Sequence, residues 1–108
     1  MISQLSGVQD IDSGYGHVCA LQSTGAVQCW GANNYGQLGI NSKDRSDDPV
    51  AVHNLYEAWQ LAVGRNHACA MITTNDLNDP GIRCWGLNSD GQLGDGTNET
   101  SLVTVQVK

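Results

Sequence analysis

The sequence predicts an all-β fold built from two copies of one four-stranded unit, and three observations carry that reading. A string running from Gly14 to Gly39 returns between Gly64 and Gly94. Apolar residues alternate in short stretches instead of recurring at helical spacing. Thirteen Gly, two Pro and no Phe mark a loop-rich chain whose turns are set by glycine. Gly14, His17, Cys19 and Ala20 recur as Gly64, His67, Cys69 and Ala70 at an offset of 50. Cys29, Trp30, Gly31, Asn33, Gly36, Gln37, Leu38 and Gly39 recur as Cys84, Trp85, Gly86, Asn88, Gly91, Gln92, Leu93 and Gly94 at an offset of 55. The second copy therefore holds five extra residues between its two Cys, and Asn75 to Asp79 is the natural place for them. A period near 50 residues is the signature of a solenoid or propeller unit.

The elements follow in order. Val8 to Ser13 alternate weakly and end at Gly14, which reads as a short strand; in the second copy Trp59, Leu61 and Val63 alternate before Gly64. The Gly-x-x-His steps GYGH and GRNH are tight turns, and a second strand runs from His17 to Gln22. Ser23-Thr24-Gly25 fits a three-residue hairpin loop with glycine at the position of positive φ. That loop fixes the register, so Gln22 faces Ala26, Leu21 faces Val27 and Cys19 faces Cys29; Met71 faces Ile82 and Cys69 faces Cys84 in the second copy. Cys19, Leu21, Val27 and Cys29 then share one face of the ribbon, and Val18, Ala20 and Trp30 the other. A ribbon apolar on both faces must be sandwiched between neighbours. The loops Asn33 to Gly39 and Asn88 to Gly94 come next, then the polar stretches KDRSDD and GTNETS, and last strands at Val50 to Val52 and Val105 to Val107. The first unit is expected at 1–57, with the end strand of a preceding unit at 1–7, and the second at 58–108.

The pattern H-x-C-A-[LM], a hairpin, then C-W-G-x-N-x-x-G-Q-L-G resembles the repeat of the regulator of chromosome condensation superfamily, in its Cys-bearing bacterial and extracellular form. The resemblance covers essentially the whole chain. It implies two four-stranded β-propeller blades, one per repeat, in a fold that is seven-bladed in the family. Its members look like protein binders: an exchange factor for a small GTPase, photoreceptors, ligase-associated domains and secreted β-lactamase inhibitors. No residue-level match to a GTPase or a β-lactamase is present. Two repeats do not close a ring, so the propeller is expected to be completed by oligomerisation or by a longer parent chain. Met1 aligns with Ala51 and Lys108 with His53, so the chain starts and ends at the same phase of the repeat. Head-to-tail closure is the favoured expectation; three copies would give six blades and four would give eight.

The four Cys leave three readings open. Cys19 with Cys29 and Cys69 with Cys84 are directly opposed, which suits disulfides that would each add about 2 to 3 kcal/mol. Reduced thiols serving as small core residues are the second. Zinc on His17, Cys19 and Cys29, with its repeat on His67, Cys69 and Cys84, is the third, but one hairpin offers no fourth ligand. His17 and His67 are expected to brace their turns by hydrogen bonds, and His53, outside the repeat pattern, to lie at the surface. Trp30 and Trp85 recur at one phase and read as blade-packing aromatics. The Gly-Gln-Leu-Gly tetrads lack the Lys and Thr of a phosphate loop. Asp90, Asp95 and Glu99 are replaced by Tyr35, Ile40 and Asp44 in the first copy, which favours solvated loop over a calcium site. Asn98-Glu99-Thr100 is a glycosylation sequon, meaningful only in a host that secretes and glycosylates.

Five basic and eleven acidic residues give a net charge of -6, which opposes attraction to nucleic acid or anionic lipid. The apolar runs fall short of a membrane span and the opening residues are too polar for a signal peptide. Location then turns on the Cys: extracellular or periplasmic if they are disulfides, otherwise cytoplasmic. No catalytic, cofactor-binding or metal-binding set emerges. The expected function is a non-enzymatic protein-interaction module that self-assembles and binds an unidentified protein; a purely structural assembly role is the alternative. Binding residues should be those that differ between copies in equivalent loops: Tyr15 against Arg65 and Asn66, Asn34 and Tyr35 against Ser89 and Asp90, and the insertion Asn75 to Asp79.

Overall fold

The computed structural model describes residues 6–107. Its eight strands are β1 (Val8–Ser13), β2 (His17–Gln22), β3 (Val27–Gly31), β4 (Ser46–Ala51), β5 (Ala58–Val63), β6 (His67–Ile72), β7 (Ile82–Gly86) and β8 (Ser101–Gln106). They form two four-stranded antiparallel sheets, ordered β1-β2-β3-β4 and β5-β6-β7-β8. The chain is thus all-β, in two meanders of the same topology. The end strand expected at 1–7 falls largely outside the described residues.

The hairpin registers are those expected. Leu21 pairs with Val27 and Cys19 with Cys29; Met71 pairs with Ile82 and Cys69 with Cys84. The Gln22 N–H donates to the Ala26 carbonyl at 2.9 Å, and Gly25 takes a φ of +88° at the hairpin bend. The five-residue insertion lengthens the β6–β7 loop and leaves the ladder it joins in register.

Two expectations need correcting. The last strand of each unit is longer than expected: β4 starts at Ser46 and β8 at Ser101, inside stretches that read as polar loop. These are edge strands, none of whose side chains is fully buried, so polar residues such as the exposed Asp47 and Asp48 carry little penalty, and Pro49 is tolerated because an edge strand leaves N–H groups unused. The alternation of Trp59, Leu61 and Val63 also fails to describe burial. A bulge in the β5–β6 ladder between Ala58 and Gln60 shifts the phase, so that Ala58 and Leu61 point inward and Trp59 outward.

The sheets stack through one shared core. Cys19, Leu21, Val27 and Cys29 of the first sheet cluster with Ala68, Ala70 and Trp85 of the second, and with Leu38, Leu55, Ala58 and Leu61 around them. Strand β5 packs against both β1 and β2. The opposing faces are sandwiched on one side only. In the first sheet Val18 and Trp30 remain half-exposed; in the second, Cys69, Met71 and Ile82 do.

Candidate functional site

Two features qualify as a site: the junction between the sheets, repeated in unpaired form on the outer faces, and a loop cluster at one end. Trp85 is fully buried, and its indole N–H donates to the Gln37 carbonyl across the junction at 2.8 Å. The acceptor is presented by a loop folded for the purpose. Asn33, buried, takes the Leu38 N–H on its side-chain oxygen and donates to the carbonyls of Ser42 and Asp44, while Gln37 takes the Tyr35 N–H. Asn88 and Gln92 make the equivalent bonds to Leu93, Thr97, Glu99 and Asp90 in the second sheet. The internal satisfaction of the buried Asn33, Gln37 and Asn88 amides explains why this loop pattern recurs in both copies, a role that residue identity alone did not disclose.

Backbone and carboxylate bonds seal the rim of the junction. Tyr15 N–H donates to the Arg65 carbonyl at 2.8 Å, Ala58 N–H to Gly25 at 3.0 Å and Asn41 N–H to Leu102 at 2.9 Å. The Asp12 carboxylate accepts the Val63 N–H at 3.0 Å. Gly36, at φ +77°, admits Leu102: a Cβ there would stand 2.9 Å from the Leu102 Cα.

His17 and His67 behave differently from the expectation. Their turns are braced by their own carbonyls, which accept the N–H of Gly14 and Gly64. The rings lie over those glycines, in space that a Cβ would occupy. His17 is buried, and both of its ring nitrogens lack hydrogen-bond partners among the described residues. Burial lowers the His17 pKa below its ordinary value, with the adjacent His67 backbone partly offsetting this; burial lowers that of His67 as well.

All four cysteines are oxidised in the structure, Cys19 to Cys29 and Cys69 to Cys84. Their sulfurs are thereby withdrawn from the zinc sets considered above. Among the described residues no group of His, Cys, Asp and Glu is placed to hold a metal. Among the described residues no helix is long and apolar enough to cross a membrane. His53 is exposed.

Strand polarity gathers the candidate binding loops. The β1–β2 and β5–β6 turns lie at the same end as the β3–β4 and β7–β8 loops, tied to them by Ala32 N–H to Gly16 and Leu87 N–H to Asn66. Tyr15, Arg65, Asn66, Asn34, Tyr35, Ser89 and Asp90 therefore share one end of the molecule. The Arg65 guanidinium sits 5.2 Å from the centre of the exposed Tyr15 ring. The insertion Asn75 to Asp79 lies at the opposite end. There Asp79 holds Arg83 through two side-chain bonds and caps the Gly81 N–H, and these contacts draw its pKa down to about 2.

The repeat matches known proteins. Family models described as "Regulator of chromosome condensation (RCC1) repeat" match residues 8–37 and 60–92, and residues 24–71. The probable E3 ubiquitin-protein ligase HERC4 of Rattus norvegicus is 37% identical over 97 residues, 86% of this chain and 9% of that protein. The ultraviolet-B receptor UVR8 of Arabidopsis thaliana is 33% identical over 97 residues, 88% of this chain and 20% of its own. Among solved structures, Prp20p from Saccharomyces cerevisiae superposes with a TM-score of 0.79 at 20% identity, and human WBSCR16 with 0.76 at 23%. Each covers 94% of this chain, which spans 25% of either. The chain is thus a small part of the length of the proteins it matches.

Proposed function

The chain belongs to the regulator of chromosome condensation (RCC1) repeat family, and from that premise we propose that it is a non-enzymatic protein-interaction module that assembles head to tail and presents its variable loops at one end. The observation that carries the proposal is the mismatch between its covered and uncovered faces. Within the chain, the Cys19–Leu21–Val27–Cys29 face is closed by a second sheet; the equivalent face at Cys69, Met71 and Ile82 is half-exposed. Exposed apolar sheet faces of this kind mark interaction surfaces, and two such faces of unlike shape on one chain suit a heterologous contact. Units 1–57 and 58–108 then act as one blade each, and three or four copies complete a ring of six or eight.

Protein binding by the displayed loops is supported by the relatives: Prp20p binds Gsp1p and histones, and Kap60 is seen bound to it. HERC4 is named a ligase, but the matched region is only 9% of it. For this chain the binding surface is assigned to Tyr15, Arg65, Asn66, Asn34, Tyr35, Ser89 and Asp90. An exposed aromatic ring capped by a guanidinium, with Asn34 and Asn66 at the same end of the molecule, can contact a protein surface without a catalytic group. Light scattering on the purified chain, with and without reductant, tests the assembly. A discrete multiple of 11.5 kDa is expected, and a well-folded monomer would refute self-assembly.

A further inference from the structure

The internal junction contains its own template for what should cover the outer faces. Trp30 stands where Trp85 stands, but is half-exposed, and among the described residues its indole has no hydrogen-bond partner. Gln92 stands where Gln37 stands. Gly36, Gln37 and Gly39 are buried beneath Trp85 and Leu102, whereas Gly91 and Gln92 are half-exposed and Gly94 is exposed. On the open side of the second sheet a groove of about 90 Å³ is lined by Leu61, Cys69, Ala70, Met71 and Ile82. Among the described residues, one face thus offers an unused indole donor, and the other an unused carbonyl in a loop folded like the one that receives Trp85.

Resting on the head-to-tail reading, we propose that a second copy of this chain docks with its Trp30 indole donating to the Gln92 carbonyl, in a seam that repeats the Trp85–Gln37 junction but is weaker and strengthened by salt. Replacements at the equivalent positions make it weaker. Leu102, which packs on Gly36, corresponds to Asp47; Asp12, which caps Val63, corresponds to Ala62, which has no oxygen to offer. Ile72 corresponds to Gln22, which is held to Gln28 by a bond of 3.1 Å. Docked as in the internal junction, Asp47 and Asp48 would face a loop carrying Asp90, Asp95 and Glu99, with Arg45 already paired to Asp47. Like charges at such range repel, and salt screens them over a Debye length of about 10 Å at 0.1 M. The seam therefore opens at low ionic strength while the internal junction holds.

The test uses two variants that each spoil one face, Val18→Arg beside Trp30 and Met71→Arg on the opposite face, with far-UV circular dichroism as the check on folding. Each alone should run as a monomer of 11.5 kDa, and a mixture should form a one-to-one pair through the single intact seam. Trp30→Phe, which keeps the ring and deletes the N–H, should move half-association of the otherwise wild-type chain to about tenfold higher concentration. Raising salt from about 0.05 to about 0.5 M should tighten wild-type association. Assembly by either Arg variant alone, no pairing in the mixture, an unmoved Trp30→Phe curve, or association loosened by salt would overturn the seam. A wild-type chain that is monomeric at every concentration would instead remove the head-to-tail reading beneath it.

Discussion

Trp85 reaches across from the second sheet and closes a 2.8 Å hydrogen bond on the backbone carbonyl of Gln37 in the first. That bond lies over a junction in which Ala68 and Ala70 pack against the Cys19–Cys29 hairpin, with Leu38, Leu55 and Leu61 in the same core. Removing only the donor is the sharpest probe of it. Trp85→Phe strands a buried carbonyl and should cost about 1 to 3 kcal/mol, whereas Trp85→Ala adds a cavity and should cost about 3 to 5 kcal/mol. Chemical denaturation followed by circular dichroism reads both. No measurable loss in Trp85→Phe would mean that the hydrogen bond contributes nothing.

The two disulfides should differ in reactivity. Cys19 and Cys29 are sealed beneath the second sheet, while Cys69 is half-exposed on an open face. Mild reductant with an alkylating mass tag should label Cys69 and Cys84 before Cys19 and Cys29. Assembly should slow that labelling by covering the Cys69 face. Replacing one pair by Ser should cost about 2 to 3 kcal/mol, since each bond closes a short loop. Simultaneous labelling of both pairs would contradict the burial difference.

Acid should weaken the chain through its histidines. Burial depresses the folded-state pKa of His17, and that of His67, below the ordinary 6.5. The unfolded chain then binds more protons than the folded one between those values, so stability rises with pH across that window. It is complete above about 6.5 and is lost as pH falls through the folded-state values. Asp12, the charged neighbour, pulls the other way for His17. His17→Gln should flatten the melting temperature between pH 7 and pH 5; an unchanged slope would place the dependence elsewhere.

The insertion loop should be ordered locally by one ion pair. Asp79, drawn down to about pH 2 chiefly by its bond to Arg83 and then by the Gly81 N–H, keeps its charge until well below the usual carboxylate range. Its contribution is present above about 3.8 and lost as pH falls through about 2. Asp79→Asn at neutral pH should speed amide exchange in the β6–β7 loop while leaving β1 to β4 unaffected. Faster exchange throughout both sheets would show a global role instead.

What the sequence disclosed divides along a physical line. Hairpin register was legible because Gly25 at the bend leaves one pairing that sets Cys19 against Cys29, and the repeat then carries it to Cys69 and Cys84. The loop end holding Tyr15, Arg65, Tyr35 and Asp90 was legible in part, since equivalent loops that vary between copies stand out. Trp59 misled because a bulge, a backbone event, reverses which side chains face inward. The early starts of β4 and β8 were hidden because an edge strand needs no apolar residues. Least legible was Gln37, whose contribution to the junction is a carbonyl that every residue type has.

Head-to-tail assembly requires that the uncovered faces find each other. Native mass spectrometry of the oxidised chain, over a dilution series at moderate salt, counts the copies directly. Three or four chains of 11.5 kDa in one discrete species is the predicted result. A single folded chain at every concentration would contradict it, leaving Trp30 and Gln92 as solvated positions.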